Sequence, residues 1–427
     1  MTWGVERQKL VLRRQERKRR LRSWVACVGG GSIAGLIPVL ALGGWGGAGL
    51  GLGLILAGLA IGHRFMLAPA GVPILTYHSV SPDASWLPWG GEISVHPETL
   101  RQHLAAIRSA GREIVLTGRL VEARSAGKPL PARPVVLHFD DGYLDNWLHA
   151  APILREAKAP ATFFASLDFI APGEEPRRWD ESDDRGYMNW AELAQLDSDP
   201  LFEVEPHGVD HGRVPISDRT VDRLTKANWR TLAWVQWAHM PGAKHDWYLH
   251  DMPPAVPLGS QVPESEGALA APAWRDGRRE SGADYRARVA DHLGRCRTEF
   301  SGRLLRRPAI FCWPENRVSA AAREIAASLD YAATTGGEGR NTAAESPFIL
   351  SRVHAGDRAL GFRFGPAERL NIRAIIGLFE GNHYWYLVTA PMNLIRRVVL
   401  AIRRLGRASY RVVLAKRTVS LRYTAIQ

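Results

Sequence analysis

The sequence predicts a parallel α/β protein, a distorted (β/α) barrel preceded by N-terminal transmembrane helices. Three observations carry this. Short apolar runs rich in β-branched or aromatic residues alternate with helical stretches from Val72 to Val353. An uncharged run of 39 residues, Trp24–Gly62, precedes them. Several runs end in clustered polar residues, and the carboxyl ends of strands are where parallel α/β folds gather their chemistry.

The elements follow in chain order. Residues 1–23 carry nine basic residues against two acidic ones, which sets the N-terminus on the cytoplasmic side of a membrane. Residues 24–62 are the transmembrane segment. As one helix it would be roughly 58 Å long, nearly twice the hydrocarbon thickness. A hairpin uses the length better, with spans near Trp24–Leu42 and Gly47–Gly62 and a break at Gly43-Gly44-Trp45-Gly46-Gly47. One long tilted span is the alternative.

Strand-like runs follow at Val72–Tyr77, Glu113–Thr117, Val135–Phe139, Ala161–Ala165, Phe202–Glu205, Ala309–Trp313 and Phe348–Val353. Helical stretches at Pro97–Ala110, Tyr143–Ala157 and Asp284–Leu304 separate several of them. Residues 241–277 hold six prolines and little periodicity, the mark of an irregular insertion within a domain spanning 72–390. Residues 391–427 hold nine basic residues and no acidic one. Within them Leu394, Ile395, Val398, Val399, Ile402 and Leu405 share one side of a helix, and Arg396, Arg397, Arg403, Arg404 and Arg407 the other. This is a basic amphipathic tail suited to a membrane surface, or a helix packed on the domain with solvated arginines.

Composition narrows the function. The net charge is +12, yet the two ends hold all of the excess and the remainder is mildly acidic at −4. That excludes a nucleic-acid-binding face spread over the domain. Cys27, Cys296 and Cys312 stand at no metal-like spacing, which excludes a disulfide scaffold and a cysteine-based zinc site.

Two segments carry the chemistry. Pro134 to Phe139 is an apolar run that ends in Asp140-Asp141-Gly142-Tyr143. One such Asp could be a helix N-cap; two adjacent carboxylates can divide between a cation and a substrate. Glu205-Pro206-His207-Gly208-Val209-Asp210-His211 supplies two imidazoles four residues apart after another strand. Two imidazoles and one carboxylate hold a metal ion while leaving positions open for water and substrate.

The ordered set Pro73-Ile-Leu-Thr-Tyr-His78, His138-Phe-Asp140-Asp141-Gly142-Tyr143, Met188-Asn-Trp190, His207-Gly-Val-Asp-His211 and Phe311-Cys-Trp-Pro314 resembles the polysaccharide deacetylase family. The resemblance implies a distorted (β/α) barrel that binds one divalent metal, zinc or alternatively cobalt or nickel, and removes acyl groups from amino sugars. By position it implies Asp140 as general base, Asp141, His207 and His211 as metal ligands, and the Tyr143 backbone N–H at the oxyanion. His354 stands nearest to the family's catalytic acid, though at a different spacing, and His78 would line the pocket. Cys312 occupies the place where many members carry an arginine that steadies the base, and Pro314-Glu315-Asn316 replaces the usual Pro-Tyr-Gly.

The expected protein is a metal-dependent hydrolase of amide bonds that takes N-acetyl groups from amino-sugar units of a polysaccharide at the inner membrane. Its partners are then the glycan and membrane lipids, with no nucleic acid. Two alternatives stand beside it: a deacylase of a lipid-linked amino sugar at the cytoplasmic face, and a catalytically lapsed glycan-binding scaffold. Two crossings put the domain in the cytoplasm, and one would export it to the periplasm.

Overall fold

The computed structural model describes residues 3–304 and 306–423, with side chains described for 16–304 and 306–405. Residues 424–427 of the expected tail, and the side chain of Arg407, lie outside these.

Two apolar helices open the chain, α1 (Trp3–Leu42) and α2 (Gly44–Met66). They fold back on each other at Gly43 and Gly44, whose φ angles of 61° and 58° suit residues without a Cβ. Glycines also let the two backbones touch. A Cβ on Gly35 would lie 2.6 Å from the Gly51 carbonyl oxygen, and one on Gly58 2.6 Å from that of Cys27. The stretches Glu16–Leu42 and Gly44–Met66 are long and apolar enough to cross a membrane. Trp45 at the turn is 95% exposed.

The remaining chain alternates strands and helices: β1 (Ile74–Tyr77), α3 (Pro97–Ser109), β2 (Glu113–Ile114), α4 (Thr117–Ala126), β3 (Pro134–Phe139), α5 (Ala151–Glu156), β4 (Ala161–Ala165), α6 (Trp190–Asp197) and β5 (Phe202–Pro206). After an antiparallel ribbon, β6 (Arg213–Arg223) with β7 (Gln261–Gly267), come α7 (Gly282–Leu304), β8 (Ile310–Phe311), α8 (Ala320–Ser328), β9 (Ala333–Gly337), β10 (Ile349–Ser351) and β11 (Val353–His354). Helices α9 (Gly365–Phe379) and α10 (Tyr386–Tyr423) close the described chain. Seven of these strands lie where the sequence anticipates them. The eighth of that character, β9, has the sequence Ala-Thr-Thr-Gly-Gly and no large apolar residue to announce it.

All strands of the two main sheets are parallel. One runs β11-β1-β3-β4-β5, with β2 beside the start of β3, and the other β8-β9-β10. They meet twice. The segment 349–354 pairs with β9 through Ile349–Ser351 and with β1 through Val353–His354. At the other edge the Cys312 amide donates to the Pro206 carbonyl at 3.0 Å, beside β5. Alternation sorts the side chains. Ile74, Val136, Phe164, Ile310, Ala333 and Leu350, drawn from both sheets, form one cluster, whereas Leu75, Leu137, Phe163 and Val204 face the helices.

The segment expected to be irregular from 241 to 277 is organised differently. Its β7 residues pair back to β6 from Arg213 onward, so the excursion begins nearly thirty residues earlier. Buried Lys244 pins it to the fold through a 2.7 Å ion pair with Asp168.

Candidate active site

The strand ends converge on one cavity of about 230 Å³. Asp140 and Asp141 follow β3, His207 follows β5, His78 follows β1, and Arg352 and His354 come from the segment shared by β10 and β11. Register explains the convergence: Thr76 lies opposite both His138 and His354, and Ala165 opposite Pro206. Each polar residue therefore leaves its strand at the same level.

The backbone around the cavity is unusual. Asp141 (φ 75°), His211 (49°), Glu315 (57°) and Asn316 (52°) all adopt left-handed conformations and all line it. Such conformations cost a non-glycine residue on the order of 1–3 kcal/mol, and they gather where function fixes a side chain.

His207 and His211 turn their Nε2 atoms to the same oxygen of Asp141, at 3.2 and 3.7 Å. The Nδ1 of His207 lies 3.0 Å from the Cys312 carbonyl, which can only accept, so Nδ1 carries a proton and Nε2 is the ring atom that faces Asp141. The buried Asp141 Oδ1 has no hydrogen-bond donor. One ligand atom from each of Asp141, His207 and His211 thus lies within 4.8 Å of the other two. That arrangement fits a cation, and two imidazoles with one carboxylate are the donors a divalent transition metal takes. Burial pushes the Asp141 carboxyl up, but His207, His78 and His211 together hold it well below the usual range.

Asp140 points to a different partner. The guanidinium of buried Arg352 donates to its Oδ1 at 2.7 Å and spans Asn316 Oδ1 with Nη2 (2.7 Å) and Nε (3.1 Å). Burial alone would raise the Asp140 carboxyl; Arg352, then His207 and His78, outweigh it and hold it at about 2. It is ionised at neutral pH. The Cys312 thiol lies 3.8 Å from the other oxygen. So the guanidinium missing at position 312 reaches the carboxylate from another strand. Sequence reading passed over Arg352, although an arginine within an apolar strand is itself a cue, because burial demands a carboxylate partner.

His354 and His78 stand side by side, ring centroids 5.5 Å apart. The His354 Nε2 donates to the Glu92 carbonyl at 3.2 Å. Burial, then the neighbouring His78, push its imidazole down to about 3. His78 Nε2 lies 4.0 Å from Asp140 Oδ2. The Tyr143 ring lines the cavity, and burial together with the Asp141 charge pushes its phenol well above its ordinary value. The cavity is also lined by aromatic residues that the sequence did not announce: Trp89, Phe169, Tyr187, Trp234 and Trp237. Two of these come from the chain enclosed by the β6–β7 ribbon.

These features describe a parallel α/β protein with a carboxylate–imidazole cluster that could hold a cation, beside a buried, arginine-paired carboxylate. Its similarity to the polysaccharide deacetylase family is direct: residues 127–238 match the family model for polysaccharide deacetylase. Poly-beta-1,6-N-acetyl-D-glucosamine N-deacetylase of Escherichia coli (strain K12) is 30% identical over 140 residues, 32% of this chain and 20% of that protein. The chain therefore spans about a fifth of that relative's length. Among solved structures, a de-N-acetylase from Aggregatibacter actinomycetemcomitans is 20% identical with TM-score 0.47, covering 66% of this chain and 94% of that one. The BpsB deacetylase domain from Bordetella bronchiseptica gives 20% identity and TM-score 0.47, with 67% and 97% covered.

Proposed function

We propose that this chain is a metal-dependent N-deacetylase of amino-sugar units in a poly-N-acetylglucosamine-like glycan. One observation carries the reading: three ligand atoms, on Asp141, His207 and His211, converge beside the ionised Asp140 carboxylate. We read the two parallel sheets as parts of one distorted barrel, because both contribute to one interior cluster and meet at both edges.

Asp141, His207 and His211 would hold the ion. A divalent cation held there, zinc by its donor set, would supply Lewis-acid polarisation of the acyl oxygen and would acidify a neighbouring water. Asp140, fixed by Arg352, takes the proton from that water as it attacks the acyl carbon. The backbone N–H of Tyr143 donates to the developing oxyanion. The departing amine then needs a proton from an imidazole on the pocket wall. His78, the closer to Asp140, is the candidate the geometry favours, and His354, which burial keeps neutral and whose Nε2 meets the Glu92 carbonyl, is the second.

The hairpin anchors the enzyme in the inner membrane. Two crossings return the domain to the side of the basic N-terminus, the cytoplasm. This position favours a second substrate reading, a lipid-linked amino sugar. The test is acetate release from N-acetylglucosamine oligomers by the full chain in detergent. Release that a chelator stops and added metal restores supports the reading; no release under either condition refutes it.

A further inference from the structure

Over its described side chains, up to Leu405, helix α10 leaves one face bare. Leu394, Ile395, Val398, Ile402 and Leu405 run along it at 46–69% exposure. Apolar stripes of this size on a protein surface mark an interaction site. What covers this one follows from its surroundings.

The helix begins where the hairpin ends. Tyr384, two residues before α10, hydrogen-bonds His63 of α2 at 3.0 Å and meets Trp24 of α1 edge-on at 6.3 Å. Tyr386 lies under the Arg17 guanidinium at 4.3 Å, and the Ala68 amide donates to the Gly381 carbonyl at 3.0 Å. These contacts fix the start of α10 against the foot of the two apolar helices. The charges beside the stripe, Arg396, Arg397, Arg403 and Arg404, have one sign, and no acidic residue follows position 390.

The same helix packs on the loop that leaves the pocket wall. Arg403 donates to the Gly361 carbonyl at 2.7 Å, and a Cβ on Gly361 would come within 3.0 Å of Val399. The loop containing Gly361 starts at His354 in the pocket wall and exposes Phe362 and Phe364 next to α10.

We propose that α10 lies on the anionic leaflet at the foot of the hairpin, and that the pocket, whose wall leads into the loop under α10, takes an amino sugar held in that leaflet by a lipid. This rests on the deacetylase reading and names its substrate class. The apolar stripe and flanking phenylalanines enter the headgroup boundary, the arginines meet anionic headgroups, and the sugar reaches the metal-binding residues without leaving the surface.

The test uses the full chain in vesicles of phosphatidylethanolamine and phosphatidylglycerol. An environment-sensitive label on Ile402→Cys, in a Cys27→Ala background, should report apolar surroundings and be quenched by acyl-chain quenchers. A label that stays in water overturns the docking, whatever the enzyme's activity. The triple variant Leu394→Glu/Ile395→Glu/Val398→Glu should keep its turnover of soluble N-acetylglucosamine oligomers and lose at least tenfold on an N-acetylglucosaminyl lipid phosphate in those vesicles. Equal turnover of the lipid by variant and parent overturns the substrate class. A parent inactive on both substrates would instead refute the deacetylase reading.

Discussion

Arg352→Met leaves the Asp140 carboxylate buried without the cation that steadies it. Two routes give the size of the effect. Asp140 sits at about 2, roughly two units below an ordinary carboxyl, which corresponds to about 2–3 kcal/mol favouring its ionised form. Removing one partner of a buried pair typically costs about 3–5 kcal/mol. A stability loss of roughly 2–5 kcal/mol should therefore appear in urea unfolding. The base also loses its orientation, so kcat should fall on the order of 10²–10³, within the range of general-base catalysis. Metal content should not change, because Arg352 touches none of Asp141, His207 and His211. Adding Cys312→Arg to this background restores a guanidinium beside Asp140, since the Cys312 sulfur already lies 3.8 Å from its second oxygen. The double variant should regain at least tenfold in acetate release. A single variant that keeps kcat within threefold of the parent, or loses metal in step with activity, would refute the pairing.

Asp140→Asn should keep its metal and lose about 10²–10⁴ in turnover, checked by metal analysis beside acetate release. His207→Ala and His211→Ala should each weaken metal binding by orders of magnitude while circular dichroism stays native. Of the two wall imidazoles, the acid is the one whose Gln variant abolishes the acidic requirement for leaving-group protonation: such a variant hydrolyses an activated N-acyl substrate normally and the natural amide poorly. Acid should destabilise the fold by forcing a proton onto a buried histidine. His103 is pushed down to about 3 by burial, against roughly 6.5 unfolded; the unfolded chain binds the extra proton, so stability is full above about pH 6.5 and declines toward pH 3. His103→Gln should flatten that decline in thermal unfolding. Reporter fusions after residues 45 and 70 test the crossings: a periplasm-only reporter active at the first and silent at the second supports the hairpin, and activity at both refutes it.

The parts of this protein legible in its sequence are those that depend on local periodicity. The run Ala161–Ala165 appears as read, and Pro134–Phe139 begins one residue early. The turn at Gly43-Gly44 was equally plain, because few residues other than glycine accept those angles in succession. The site's two segments were visible because each keeps its donors within four residues. Arg352 was not, since its partner lies 212 residues away and no local pattern encodes that meeting. The aromatic wall escaped for the same reason: Trp89 and Trp237 become neighbours, 6.4 Å apart, only once the excursion folds back. β9 escaped because its burial comes from Val318, Trp313 and other neighbours rather than from bulk of its own.

The central claim is that Asp141, His207 and His211 hold a divalent ion which the hydrolysis requires. Metal titration of the full chain, followed by acetate release at each addition, measures this most directly. One equivalent of zinc should saturate both binding and turnover, and Asp141→Asn should show neither. Turnover that is complete before metal is added to chelator-stripped protein, or that Asp141→Asn retains, would contradict the account.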